Sequence, residues 1–319
     1  MSASTSIAGL PSSRGTASLP SSTAGDWVQL LKPRVLVLVV YTAVAGLAVA
    51  PVPMHPVLAF AAILAITVAA GAAGALNMWF DRDIDAVMAR TARRPIPAGR
   101  IGADEALTFG VMLAVASVMV MALTANLAAA AWLAMSILFY VLVYTVWLKR
   151  RTAQNIVIGG AAGAFPPIIG WVAATGHLAL LPVLMFAIVF VWTPPHFWSL
   201  ALYASGDYAR AGVPMLPVVS GARTTRTHIL AYTVLLVSVS VSPWVLGLAG
   251  PLYGAVALVL GMWFAWHAVR VWRDQADASG RSRRNDEAAR AAFRFSILYL
   301  FVLFGALVAD HWVFHGLAG

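Results

Sequence analysis

The chain contains no cysteine, and only 10% of its 319 residues are charged. The first absence excludes disulfides, thiolate metal centres and a cysteine nucleophile, and leaves the redox compartment undecided. The second, beside 61% hydrophobic residues and a mean hydropathy of +0.84, excludes a soluble fold, which cannot bury that much apolar surface. No Walker loop, zincin helix or serine-centred nucleophile elbow is present. Chemistry must then come from carboxylates, cations and a bound metal. Acidic residues number only 12, so where each one stands is informative.

What the chain has in quantity is long apolar runs. About nine approach the ~20 residues that cross the hydrocarbon, at roughly 34–51, 56–80, 104–124, 127–147, 155–175, 180–203, 229–249, 251–271 and 292–314. The expected fold class is all-α, a polytopic membrane protein whose helices bundle around a central cavity. With these spans, all 21 Lys and Arg fall at one membrane face, in the segments holding Lys32 and Arg34, Arg82–Arg100, Lys149–Arg151, Arg210–Arg226 and Arg270–Arg294, with Arg14 ahead of them. Connections at the other face, such as Pro51–His55 and Gly176–His177, carry none. This asymmetry predicts a cytoplasmic N-terminus and large loops and an outside C-terminus. The net charge of +9 is therefore topogenic and requires no nucleic acid.

Residues 1–25, rich in Ser, Thr, Ala and Gly, read as a disordered cytoplasmic arm without the basic start and apolar core of a signal peptide. Residues 26–319 read as one transmembrane domain. Asp26–Leu31 is expected to form a short amphipathic helix at the interface, and Gln275–Arg290 a solvated surface segment.

Chemistry concentrates where the second apolar run ends. Asn77, Asp81 and Asp85 stand at i, i+4 and i+8, one helical face drifting only ~40° per step, a column ~12 Å long. Like charges repel there and a helix C-terminus disfavours carboxylates, penalties that a bound cation offsets. Oxygen ligands of this kind hold Mg²⁺, and Arg90, Arg93 and Arg94 just beyond are suited to phosphate. Asp83, on another face, is expected to pair with Arg82 or a neighbour. Lys149, Arg150 and Arg151 read either as topogenic or as phosphate contacts. The second and sixth spans both end in acid, the latter at Asp207, and both lead into basic Pro-containing loops. A parallel repeat of four helices would bring these ends to opposite walls of one cavity. His196 lies eleven residues before Asp207, ~16 Å deeper on an ideal helix, in Trp192-Thr193-Pro194-Pro195-His196-Phe197-Trp198. Such a histidine is more often hydrogen-bonded within a bundle than a ligand. Paired prolines here and at Pro166-Pro167 are expected to kink their helices and shape a pocket, and Gly159-Gly160 to permit close helix approach. His311 and His315 form a weaker metal pair, with only Asp310 nearby.

These residues resemble the intramembrane aromatic prenyltransferase superfamily, whose first motif, Asn-x-x-x-Asp-x-x-x-Asp, is matched by Asn77, Asp81 and Asp85. The chain is most similar to the heme-farnesylating branch, through Lys32-Pro33-Arg34, Asn77–Asp85 with Arg90-Thr91 and Arg94-Pro95, Tyr144-Thr145 with Leu148-Lys149-Arg150, Asn155–Gly160, Gly163–Pro167 to Gly170-Trp171, Trp192–Trp198, and Asp207-Tyr208 to Ala211–Pro217. The usual second motif has two aspartates four apart, whereas Asp207 is followed at that spacing by Ala211. The resemblance implies transfer of farnesyl from farnesyl diphosphate to a vinyl group of heme B, with water added, giving heme O and diphosphate. It implies Mg²⁺ on Asn77, Asp81, Asp85 and Asp207. Arg34, Arg90, Arg94 and Lys149 would neutralise the diphosphate, and His196 would contact heme as iron ligand or propionate partner. A bacterial inner membrane, and a downstream heme-modifying enzyme or terminal oxidase assembly, complete the expectation. A sister enzyme acting on a quinone precursor would share the aspartates without needing Pro-Pro-His-Phe-Trp. A non-enzymatic carrier would bind without releasing diphosphate.

Overall fold

The computed structural model describes residues 22–274 and 282–315, except for the side chains of Phe314 and His315. Most of the expected N-terminal arm, and Gln275–Arg281 of the last polar loop, lie outside the described residues. Among the described residues the chain is helical, without a sheet. Eight helices are long and apolar enough to cross a membrane. A ninth span results if α1 (Ala24–Leu30) and α2 (Pro33–Ala48), bent by 52°, count as one. The bend has a local cause. Pro33 cannot donate a backbone hydrogen bond to the preceding turn, and it bars residue 32 from the right-handed helical region. Lys32 accordingly takes a left-handed conformation with φ 54°. α1 itself starts from a capping box between Thr23 and Asp26, so helix begins just inside the arm expected through residue 25.

The remaining spans are α3 (Pro56–Phe80), α5 (Ala103–Thr124), α6 (Leu127–Leu138), α7 (Asn155–Thr175), α8 (Leu180–Tyr203), α11 (Gly221–Val245), α12 (Pro251–Arg273) and α13 (Glu287–His315). Short helices α4 (Arg82–Val87), α9 (Ser205–Arg210) and α10 (Leu216–Val219) lie between them at the charged end. α11 and α13 begin one to two turns earlier than their apolar runs, because Arg223, Arg226 and Arg290 extend the helix beyond the hydrocarbon, where hydropathy is blind to it.

α6 continues as a π-helical segment, Phe139–Leu148, which the sequence did not reveal. Its register is seen in Lys149 N donating to Tyr144 O, and in Thr145 Oγ donating to Tyr140 O, each 2.9 Å and five residues apart. α7 and α8 each run through their proline pair as one element. The glycines do admit close neighbours. A Cβ on Gly170 would fall 2.1 Å from Ala43 O, and one on Gly159 would fall 2.2 Å from Cδ2 of Tyr144.

Two smaller apolar clusters sit at the charged end beside the main core. Leu30, Met78, Ile96 and Ile101 pin the basic loop after α4 to α1 and α3. Ile84 and Met88 pack in one cluster with Trp198, Tyr208, Val213 and Met215, so the ends of the second and sixth spans do meet.

Candidate functional site

α3 stops at Phe80 and α4 starts at Arg82, yet the i→i−4 ladder passes through the break. Asp81 N donates to Asn77 O at 2.9 Å and Asp85 N to Asp81 O at 2.8 Å. The single face expected for Asn77, Asp81 and Asp85 therefore survives, and all three are buried, with exposures of 3%, 0% and 2%. Unpaired buried carboxylates are costly, and each of these meets a cation. Lys149 Nζ contacts Asp81, and Arg94 donates to Asp85 Oδ2 at 2.6 Å. Lys32 Nζ donates to Asn77 Oδ1 at 2.5 Å, while Asn77 Nδ2 donates to Asp81 Oδ2 at 2.7 Å and to Thr145 Oγ at 3.0 Å. The π-helical turn supplies Thr145, and it ends where Lys149 begins, aiming both at the column. Thr91 Oγ donates to Asp85 O at 2.9 Å and fastens the loop carrying Arg94.

Asp83 pairs with Arg150 rather than Arg82, through bonds of 2.6 and 2.7 Å. That guanidinium holds the Asp83 carboxyl below its usual range, and it reaches within 3.7 Å of Asp81 Oδ1. At the edge of the site, Arg100 donates to Asp26 at 2.7 Å, keeping the Asp26 carboxyl at about 2 and tying the basic loop to α1.

Other expected residues fall elsewhere. Asp207 is held by Arg210 and does not join the column; no group of three or more metal-ligating acids or histidines assembles among the described residues. Arg34 is exposed and forms no ion pair there, and its neighbour Lys32 takes the place beside Asn77. Arg90 turns to Tyr208, donating to its hydroxyl at 3.2 Å with the guanidinium over the ring. Asp310 caps α12 through the backbone N–H groups of Gly250 and Tyr253, 2.5 and 3.1 Å away, which commits it to structure. Lys32, Thr145, Tyr140 and Tyr144 went unassigned as site residues from the sequence, whereas Arg150, read there as topogenic or as a phosphate contact, stands beside the column. A signal for Lys32 was its place before Pro33; none existed for the π-helical tyrosines, whose rings stand 5.4 Å apart.

His196 lies at the α8–α13 interface, its ring stacked between Trp192 (4.2 Å) and Phe293 (4.5 Å). Its Nδ1 is 2.6 Å from Ser296 Oγ, whose own proton is given to Phe293 O at 2.7 Å. Ser296 can then only accept, so Nδ1 carries the ring proton and Nε2 the free lone pair.

Whether the column suits a divalent cation can be read from its oxygens. Asp81 Oδ1 is buried without a hydrogen-bond partner, and the donor set of two carboxylates and an amide oxygen is hard, as Mg²⁺ requires. The residues fit the ion.

The profile described as the UbiA prenyltransferase family matches residues 39–298. The chain is 65% identical to a protein named protoheme IX farnesyltransferase from Acidiphilium cryptum, over 93% of each chain. It is 61% identical to one of the same name from Granulibacter bethesdensis, over 94% of this chain and 97% of that one. Among solved structures it is similar to a digeranylgeranylglyceryl phosphate synthase, with TM-score 0.72 at 17% identity over 90% of this chain and 98% of the other. It is also similar to a UbiA homolog from Archaeoglobus fulgidus bound to GPP and Mg²⁺, with TM-score 0.60 at 14% identity over 89% and 99%.

Proposed function

The chain belongs to the UbiA prenyltransferase family, and from that premise we propose that it transfers farnesyl from farnesyl diphosphate to heme B, forming heme O and diphosphate. Family membership makes it a multi-pass membrane prenyltransferase. The acceptor follows from relatives of 61–65% identity that carry the name protoheme IX farnesyltransferase. The observation that carries the chemistry is the buried column of Asn77, Asp81 and Asp85 ringed by Lys32, Arg94, Lys149 and Arg150.

In this reading Asn77, Asp81 and Asp85 hold magnesium, and a magnesium ion there supplies Lewis-acid stabilisation of diphosphate oxygens. Lys149 and Arg94 turn from the carboxylates toward the phosphate oxygens, and Lys32 and Arg150 raise the local positive potential. Together they stabilise charge as the allylic C1–O bond of the farnesyl donor breaks and diphosphate leaves with the electron pair. Tyr140 and Tyr144, on the π-helical segment that also carries Thr145, are the aromatic rings assigned to stabilise the resulting cation. The apolar bundle keeps bulk water from it. A heme vinyl carbon then bonds to farnesyl C1. Water adds to the cation left on the adjacent heme carbon and loses a proton, giving the hydroxyethylfarnesyl group. His196 contacts the heme, and Asp207 supports the loop side of the site. The charge asymmetry supports an inner membrane with the column on the cytoplasmic side.

The test is turnover by purified protein given Mg²⁺, farnesyl diphosphate and either heme B or a phenolic quinone precursor, read by mass and by diphosphate release. Heme O and diphosphate in equal amounts are expected. A prenylated phenol instead, or binding without diphosphate release, would overturn the proposal.

A further inference from the structure

Three arginines stand at the charged end beyond His196. Arg290 lies over the ring of Tyr203 at 4.3 Å, and Arg90 over Tyr208 at 5.7 Å. Arg294 stands one turn beyond Arg290 on α13, exposed at the charged end. Among the described residues none of the three pairs with a carboxylate, whereas Arg94, Lys149 and Arg150 at the column all do. Among the described residues the terminal nitrogens of Arg290 and Arg294 make no hydrogen bond; their Nε atoms donate, to Asn285 O (3.3 Å) and Arg290 O (3.4 Å).

An aromatic wall joins this cationic group to the histidine. Tyr203 meets Phe293 edge-on at 6.3 Å, Phe293 stacks on His196, and Phe197 stands against the same imidazole at 5.1 Å. From His196 to Tyr203 is two turns of α8, ~10.5 Å. That is about the reach from the centre of a porphyrin to its carboxylates. The imidazole is sandwiched on both faces and fixed at Nδ1, so Nε2 is its one unpartnered nitrogen, and it is not among the fully enclosed unpartnered atoms. A ring oriented in this way, through a hydrogen bond from its other nitrogen, is how proteins present histidine to a metal.

We propose that Arg290 and Arg294, with Arg90, hold the two propionates of the porphyrin acceptor while Nε2 of His196 meets its iron. This rests on the reading of heme as acceptor and adds its orientation: carboxylates toward the charged end, with the ring plane along the Phe293–Tyr203 wall.

The experiment is a spectroscopic titration of the purified protein with heme B and with its dimethyl ester, in which both propionates are neutral. The wild type should bind heme B at least tenfold more tightly, the scale of one charge-assisted hydrogen bond. The double substitution Arg290→Gln/Arg294→Gln should remove that preference while leaving affinity for the ester unchanged. His196→Ala should alter the Soret band of both hemes alike. Equal affinity of the wild type for the two hemes, or a preference that survives the double substitution, would overturn the anchor. Turnover is read separately. Discriminating binding without heme O formation would sink the catalytic reading and leave the anchor standing.

Discussion

Replacing Asp81 with asparagine separates the two roles of the most buried carboxylate in the column. The group is fully enclosed, with Lys149 on one oxygen beside Asn77 Nδ2, and Arg150 3.7 Å from the other. Severing a sealed ion pair costs about 3–5 kcal/mol. Here the partners are not sealed, since the side chains of Lys149 and Arg150 are 17% and 33% exposed. The amide also keeps an oxygen to accept from Lys149. The stability cost should therefore be about 1–2 kcal/mol, and Asp81→Asn should insert and purify as a folded protein.

Catalysis should respond quite differently. The substitution removes one charged oxygen from the proposed metal site and the anchor that positions Lys149. Loss of one preorganised electrostatic contact commonly costs about 10²–10³ in kcat. Turnover is measured as heme O by mass, and fold as thermal unfolding in the same detergent. A kcat within threefold of wild type would refute the assignment of the column. An unfolding loss well above 2 kcal/mol would refute the argument that water relieves the orphaned cations.

Other outcomes are expected from separate parts of the molecule. Gly170→Leu forces side-chain atoms into Ala43 O, where even a Cβ would stand at 2.1 Å. It should cost 3 kcal/mol or more by overpacking, seen as loss of monodisperse protein on size exclusion; a well-behaved variant would contradict the packing of α2 on α7. Asp310→Ala should lower unfolding stability by about 1–2 kcal/mol, the loss of a helix cap, with heme O formation unchanged, whereas loss of turnover at normal stability would assign that end a catalytic role. Chelating divalent cations should abolish diphosphate release and Mg²⁺ should restore it; release that persists under chelation would remove the metal from the proposal. Tyr144→Leu should slow turnover by about three- to thirtyfold, the range of a cation–π contact, while Tyr144→Phe keeps the ring and stays near wild type. Equal rates for the two would exclude the aromatic face.

Much of this arrangement was legible in the sequence, for definable reasons. Apolar run length marks where the chain crosses hydrocarbon, so α3, α5, α7 and α8 were bounded to within a residue. It stops reporting at the polar first turns of α11 and α13. The i, i+4, i+8 spacing of Asn77, Asp81 and Asp85 fixes a common face because helical geometry is local, and the break at Asp81 leaves its hydrogen-bond ladder intact. The partners were not legible. Lys149 meets Asp81 across 68 positions of sequence, and a patterned charge cannot announce which distant carboxylate it will meet. Nor does an apolar pattern distinguish π from α register, although the register decides that Thr145 and Lys149 both reach the column. The choice of Lys32 over Arg34 depends on a left-handed residue ahead of Pro33, a backbone detail that redirects two adjacent cations.

The surplus of cations is the feature that links the substrate-free arrangement to the proposed chemistry. Three carboxylates, on Asp81, Asp83 and Asp85, face the four cations Lys32, Arg94, Lys149 and Arg150. Without substrate these cations offset the cost of burying the carboxylates of Asp81 and Asp85, a cost that would otherwise raise their protonation or unfold the helix end. A diphosphate bearing three negative charges, arriving with one Mg²⁺, brings one net negative charge, which a protonated Lys32 balances. Loading then exchanges partners without creating an unpaired charge: carboxylate oxygens pass from ammonium and guanidinium to the metal, and the released cations pass to phosphate. Binding of donor and metal must therefore be mutually dependent. Either one alone leaves the site charged, magnesium without diphosphate being the worse case because it adds to an existing positive excess.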